Sequence, residues 1–140
     1  MHHHPRAATA RRLIDERGMS LSVLVLLCMG ALILVAGLVV DGGQQVSAAR
    51  RAESAAAGAA RAAADAGGTY RLAGHNDPGA GLSAARAYLA GTDVQATVSL
   101  ADGVVRVQTR ATNPTIFLSV LGLTEVSAMA SAYADLVQGP

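Results

Sequence analysis

Cys28, His75 and Asp77 are the first residues to weigh, because a thiol, an imidazole and a carboxylate are what nucleophilic and metal chemistry draw on. Cys28 lies in the middle of a long uncharged run, and Val25, Leu26 and Leu27 before it lack the small residue expected ahead of an acylated cysteine. It reads as a small apolar filler. His75 is the only histidine beyond residues 2–4, and with Asp77 alone it falls short of the three or four protein ligands that zinc takes. The remaining carboxylates are scattered singly, which gives no pair for acid/base work. The glycines of GGTY and GAGL punctuate loops and follow no strand in a phosphate-cradling pattern. Arg106, Gln108 and Arg110 alternate along one segment and could meet an anionic partner, but a solvated sheet face explains them as well. The expectation is no catalytic residue, no metal site, no cofactor and no small-molecule substrate: the chain is not an enzyme.

Composition narrows the rest. The 140 residues are 51% hydrophobic and 15% charged, too apolar to stay unfolded for want of a core, and enough for one small domain plus an anchor. With 3% aromatic residues and a formal net charge of +1, the chain lacks both the stacking surface and the basic footprint that nucleic-acid binding needs. A single cysteine forms no internal disulfide, so stability must come from packing.

Residues 21–40, LSVLVLLCMGALILVAGLVV, carry no charge. About 20 such residues at about 1.5 Å each span the roughly 30 Å of a bilayer's hydrocarbon core. Arg6, Arg11, Arg12 and Arg17 precede the run, against Arg50 and Arg51 soon after it, which places the N-terminus in the cytoplasm. The run is longer than the apolar region of a cleavable signal, so it reads as a retained single-pass anchor of the cytoplasmic membrane. Residues 1–20 are then a cytoplasmic tail, 21–40 the transmembrane helix, 41–66 an Ala-rich stalk helix and 67–140 an extracytoplasmic domain. Asp41 is expected at headgroup level where the chain leaves the membrane. Gly42 and Gly43, each costing about 1 kcal/mol relative to Ala inside a helix, mark a hinge.

In the stalk, Ser47, Arg50, Arg51, Ser54, Arg61 and Asp65 recur on one side, while Ala48, Ala52, Ala55, Ala56, Ala59 and Ala63 form a packing face on the other. Side chains this small let another backbone come close. The stripe should pack against a sheet, against sister subunits, or both, with the helix ending at Ala66 before Gly67 and Gly68. Residues 67–81 read as a loop holding Tyr70, His75, Asn76 and Asp77. Asp77 caps a helix that opens on Pro78 and runs to Ala90, where Gly91 closes it. From Val94 the period becomes two: residues 94–100 and 105–111 alternate around Asp102 and Gly103, a strong hairpin signal, before Asn113 and Pro114 break the second strand. TIFLSVLGL reads as an apolar turn that plugs the core and ends at Gly122. A third alternating run sets Val126, Ala128, Ala130, Ala132, Ala134 and Leu136 on one face. The fold class is α+β: a long N-terminal transmembrane and amphipathic helix on a small three-stranded antiparallel sheet, with short helices.

Arg17 and Gly18, the apolar run, Asp41 and Gly43 at its end, and the following Ala48, Arg50, Arg51, Glu53 and Ala55 together resemble the N-terminal segment of the TadE/TadG-like family of Flp pilus-assembly proteins. TIFLSVLG followed by an alternating Ala/Ser strand looks like actinobacterial members of that group. The resemblance implies a minor pilin-like or assembly component of a Flp/Tad (tight adherence) type IV pilus or related secretion machine. Its partners would be the membrane, other proteins of the machine and further copies of itself. It also implies a prepilin-peptidase site at Gly18 and Met19, yet such signals carry Glu at the fifth residue after the cut, where this chain has Val23. An uncut chain is a static anchor. The alternative is a membrane-tethered binding module that captures a ligand or cell-wall polymer through the loop of residues 67–81 and the exposed strand face.

Overall fold

The computed structural model describes residues 12–75 and 77–136, with side chains from Ser20 onward. Residues 2–4, Arg6, Arg11 and Asn76 therefore lie outside the described residues, and Arg12, Arg17, Gly18 and Met19 are described only as helical backbone. The chain divides into two compact units, Met1–Val39 and Val40–Pro140.

The first unit contains the start of helix α1 (Arg12–Leu72). Its apolar side chains are uncovered all round: Leu21, Leu26, Ile33, Leu34 and Val39 keep between 60% and 73% of their surface exposed. In water that exposure would oppose folding; in lipid it is the stable arrangement. Within Ser20–Leu72 lies one helix, near the N-terminus, long and apolar enough to cross a membrane.

The second unit holds the rest of α1, helix α2 (Pro78–Ala90), strands β1 (Gln95–Ala101), β2 (Val104–Pro114) and β3 (Glu125–Asp135), and a single 3-10 turn at Leu118–Leu121. The strands form one antiparallel sheet in the order β1-β2-β3. Asp102 and Gly103 turn the first hairpin with φ of 53° and 76°, the two left-handed residues of a tight primed turn, and Ala101 pairs with Val104 across it. Asp77 caps α2 by accepting a hydrogen bond from the Gly79 N–H at 2.9 Å. The α+β architecture expected from the periodicities is the one observed.

On β2, Val105, Val107, Thr109 and Ala111 are buried and alternate with exposed Arg106, Gln108 and Arg110. Against the inward set lie Ala48, Ala52, Ala55, Ala56, Ala59 and Ala63 of α1, each 5% exposed or less. The reason for alanine is distance. The Thr109 hydroxyl donates to the carbonyl of Ala52 at 2.7 Å, a contact between strand and helix backbone that larger side chains would forbid.

Several local expectations need correction. The helix does not stop at Ala66: Gly67 and Gly68 stay helical, and α1 runs on to Leu72. Gly67 is there for space, since a Cβ would stand 2.8 Å from Leu136 Cδ2. The stop comes at Gly74, φ 78°, where the Gly74 N–H bonds Arg71 O and the His75 N–H bonds Tyr70 O, both at 2.9 Å, in the pattern of a Schellman cap. Residues 67–72 and 78–81 of the expected loop are accordingly helical. Strand β2 is not broken at Asn113 and Pro114 but includes both, paired with Val126 and Glu125. Proline is tolerated at the last position of a strand, where the ladder needs no N–H from it. Gly91 closes α2 without a left-handed conformation, at φ −89°.

The TIFLSVLGL segment does not plug the core. Val120 and Leu121 are 85% and 76% exposed, and the core is filled instead by Leu136, Leu89 and the β2 valines.

Leu136 sits in a notch formed by Gly67 and Gly81. A Cβ at Gly81 would meet Leu136 Cδ1 at 2.6 Å and the carbonyl oxygen of Ala63 at 3.0 Å, and backbone cannot swing aside. Gly81→Ala should therefore cost about 1–2 kcal/mol despite better helix propensity. Gly43→Ala, with nothing within 4 Å of the new methyl, should gain up to about 1 kcal/mol. Thermal unfolding of the full chain in detergent, followed through the sheet, checks the opposite signs.

Candidate functional site

The polar groups of the second unit concentrate along the seam between α1 and the end of β2. Asp41 is 1% exposed, although it follows directly on the apolar run. Its carboxylate accepts backbone hydrogen bonds from Ile116 at 2.8 Å, Phe117 at 3.1 Å and Leu118 at 2.6 Å. These are the N–H groups that open the turn at Leu118–Leu121, and Phe117, the residue in the capping position, offers no side-chain acceptor. An anion supplied from another element does the capping.

Burial works to raise the pKa of Asp41, but the donors from Ile116, Leu118 and Phe117 together more than offset it and hold the carboxyl below its ordinary value. The folded value being the lower one, this contribution is fully present above the ordinary carboxylate pKa of about 3.9 and is lost as pH falls through the folded value. The amide resonances of Ile116, Phe117 and Leu118 should hold steady from neutral pH to about pH 5 and move together only in stronger acid. In Asp41→Asn they should lose protection from hydrogen exchange at every pH while the β2 amides keep theirs.

Two further residues extend the seam. The Asn113 amide donates to Gln44 O at 2.9 Å and to Gln44 Oε1 at 3.2 Å. Arg51 donates to the Thr112 carbonyl at 2.9 Å, to Asn113 Oδ1 and to Asp93, the last as an ion pair. One guanidinium thus ties α1 to both the entrance of β1 and the end of β2, a use of its forked donors that Lys could not reproduce. Arg51 does not belong to the solvated side of the stalk, where Ser47, Arg50, Ser54, Arg61 and Asp65 remain exposed.

Gly42 and Gly43 are helical, with open space where a Cβ would stand, so no close approach requires either. Ala48, Ala52 and Ala111 form one apolar cluster, and Ala55, Ala56, Ala59 and Ala63 join Ala85, Leu89, Val105, Val107, Ala134 and Leu136 in another. The alanine face is thus covered by the chain's own sheet and α2. Arg106 lies over the Tyr133 ring at 5.2 Å on the outer face of the sheet, and Arg110 donates to Met129 Sδ at 3.1 Å. Among the described residues no three His, Cys, Asp or Glu side chains come together, and Cys28 is a free, exposed thiol. The polar contacts of the seam join α1 to β2 within the second unit.

Sequence reasoning gave Asp41 a place but not its role. The signal that could have found it is the turn TIFL, which needs an anion at its N-terminus and carries none nearby.

Residues 18–66 match the family model described as Putative Flp pilus-assembly TadE/G-like. The resemblance drawn from the N-terminal motifs is therefore borne out over that segment, which takes in the apolar run, Asp41 and the alanine stripe and leaves the sheet outside. No curated protein and no solved structure matches the chain.

Proposed function

We propose that the protein is a membrane-anchored structural component, minor pilin-like or assembly protein, of a Flp/Tad type IV pilus or related secretion machine. The single observation that carries this reading is a coincidence of residues. The match to the pilus-assembly family falls on the same stretch as the uncovered apolar helix. A role in pilus assembly is what that family supports. The anchoring, the cytoplasmic N-terminus and the outward-facing domain of residues 41–140 rest on the length of the apolar run and on the arginines ahead of it. Asp41 marks the exit from the membrane, and Gly42 and Gly43 beside it are the hinge.

The alanine face supports the folding of the domain, since it is spent on the chain's own sheet. Cysteines at Ala52 or Ala59 would report on that internal packing and are poor probes of neighbours. Contacts with other machine proteins are better sought along the anchor, where Leu26 and Leu34 are 72% and 73% exposed. The binding-module alternative loses most of its loop, since residues 67–72 and 78–81 are helical.

Cells lacking the protein should lose surface pili or secretion, and the full chain should restore them. A photo-crosslinker at Leu26 or Leu34 should trap a membrane protein of the machine or a second copy. Normal piliation in its absence would overturn the reading. Val23, where peptidase substrates carry Glu, supports an uncut chain: its intact mass from native membranes should retain residues 1–18.

A further inference from the structure

We propose that the loop carrying Ile116, Phe117, Val120, Leu121 and Leu123 is a second membrane contact, seated in the interface of the same bilayer that holds residues 21–40. This rests on the anchoring reading above and adds to it a site of lipid contact far along the sequence from the anchor.

The exposure of the loop calls for an occupant. Ile116, Phe117, Val120, Leu121 and Leu123 are 57%, 42%, 85%, 76% and 58% exposed, and they crowd into one short segment. Apolar residues scattered singly on a surface need no explanation, but a contiguous set does. The segment PTIFLSVLGLT contains no charged residue at all.

Much of its backbone is already hydrogen-bonded within the protein. The N–H groups of Ile116, Phe117 and Leu118 are taken by Asp41. Those of Thr115, Val120, Gly122 and Leu123 bond Thr124 O, Phe117 O, Ser119 O and Leu118 O at 3.0 to 3.2 Å. The hydroxyls of Ser119 and Thr115 donate to Ile116 O and Leu123 O. Each polar group paired inside the protein lowers the cost of moving the loop from water into the membrane interface.

Position selects lipid over a protein partner. Asp41 is the residue next to Val40, the last of the apolar run, so the loop is hydrogen-bonded to the point where the chain leaves the hydrocarbon. Whichever way the anchor tilts, a loop tethered there begins at the membrane surface. A shallow insertion of about 5–10 Å into the headgroup and acyl boundary would cover its side chains.

The native chain contains no Trp, so a single introduced Trp can be read without background. The full chain would be reconstituted into vesicles of phosphatidylcholine and phosphatidylglycerol as Leu121→Trp, with Val120→Trp as a second loop probe. Leu32→Trp reports the anchor, and Tyr133→Trp on the outer sheet face serves as reference. The expected result is blue-shifted emission from both loop probes, most of it lost to lipids brominated near the top of the acyl chain and little to aqueous acrylamide. Leu32→Trp should be quenched by deep bromines, and Tyr133→Trp by acrylamide alone. A quenched Leu32→Trp with loop probes open to acrylamide, or shielded from both quenchers by protein, overturns the loop contact and leaves the anchor standing. Escape of Leu32→Trp from deep bromines removes the anchoring reading first, and the loop contact with it.

Discussion

Ala59→Leu should destabilise the sheet unit by about 3 kcal/mol, the upper end of what overpacking a core does. Ala59 is fully buried in the cluster that contains Val105 and Val107, and the spacing of helix and strand is pinned nearby by the bond from Thr109 to Ala52 O. Three added carbons have no room unless α1 lifts from the sheet, and lifting breaks that bond. For a unit of this size each kcal/mol lowers the melting temperature by about 4–8 °C, so the full chain in detergent micelles should melt about 12–24 °C lower. Arg61→Leu, on the exposed side of the same helix, should change stability by no more than about 0.5 kcal/mol. Circular dichroism and exchange of the β2 amides check both. If Ala59→Leu melted like the parent chain, the claim that the stripe sets the approach of helix to sheet would be lost.

The second large effect is on insertion. Met29 and Leu32 lie near the middle of the apolar run and are 60% and 69% exposed. An arginine at the centre of a membrane helix costs about 2.5–3.5 kcal/mol of insertion free energy, so Met29→Arg with Leu32→Arg together should cost about 5–7 kcal/mol. That is enough to shift nearly all of the chain out of the membrane fraction and to abolish restoration of pili in cells lacking the protein. Met29→Leu with Leu32→Val, which keeps the run apolar, should behave as the parent. Fractionation followed by immunoblotting distinguishes the pair.

How much of this was legible in the sequence follows from how local each cause is. The hairpin at Asp102 and Gly103, the Asp77 cap with Pro78 behind it and the alternation of β2 and β3 are set by residues within a few positions of one another, and each is found where its pattern falls. Gly67 and Gly68 suggest too early an end for α1 because their helix-breaking tendency is worth only about 1 kcal/mol each, and packing overrides it. What Gly67 answers to is Leu136, far along the chain, and the true stop at Gly74 is one glycine among many.

Hydrophobicity alone places the segment after Pro114 in the core, and it cannot tell a buried apolar turn from one facing outward. Asp41 was legible as a boundary but not as a cap, since its donors lie 75 to 77 residues away. Helical period puts Arg51 on a solvated side, and only the arrival of Asp93 and Asn113 beside it gives it a structural task.

Anchoring requires residues 21–40 to reside in lipid with the sheet unit beyond the membrane. The most direct measurement is paired reporter topology in the native host, with alkaline phosphatase or green fluorescent protein joined after Pro140, combined with alkaline carbonate extraction. The expected result is an active phosphatase, a dark fluorescent protein and a chain that stays with the membrane pellet. A fluorescent fusion with inactive phosphatase, or release of the chain by carbonate, would contradict it.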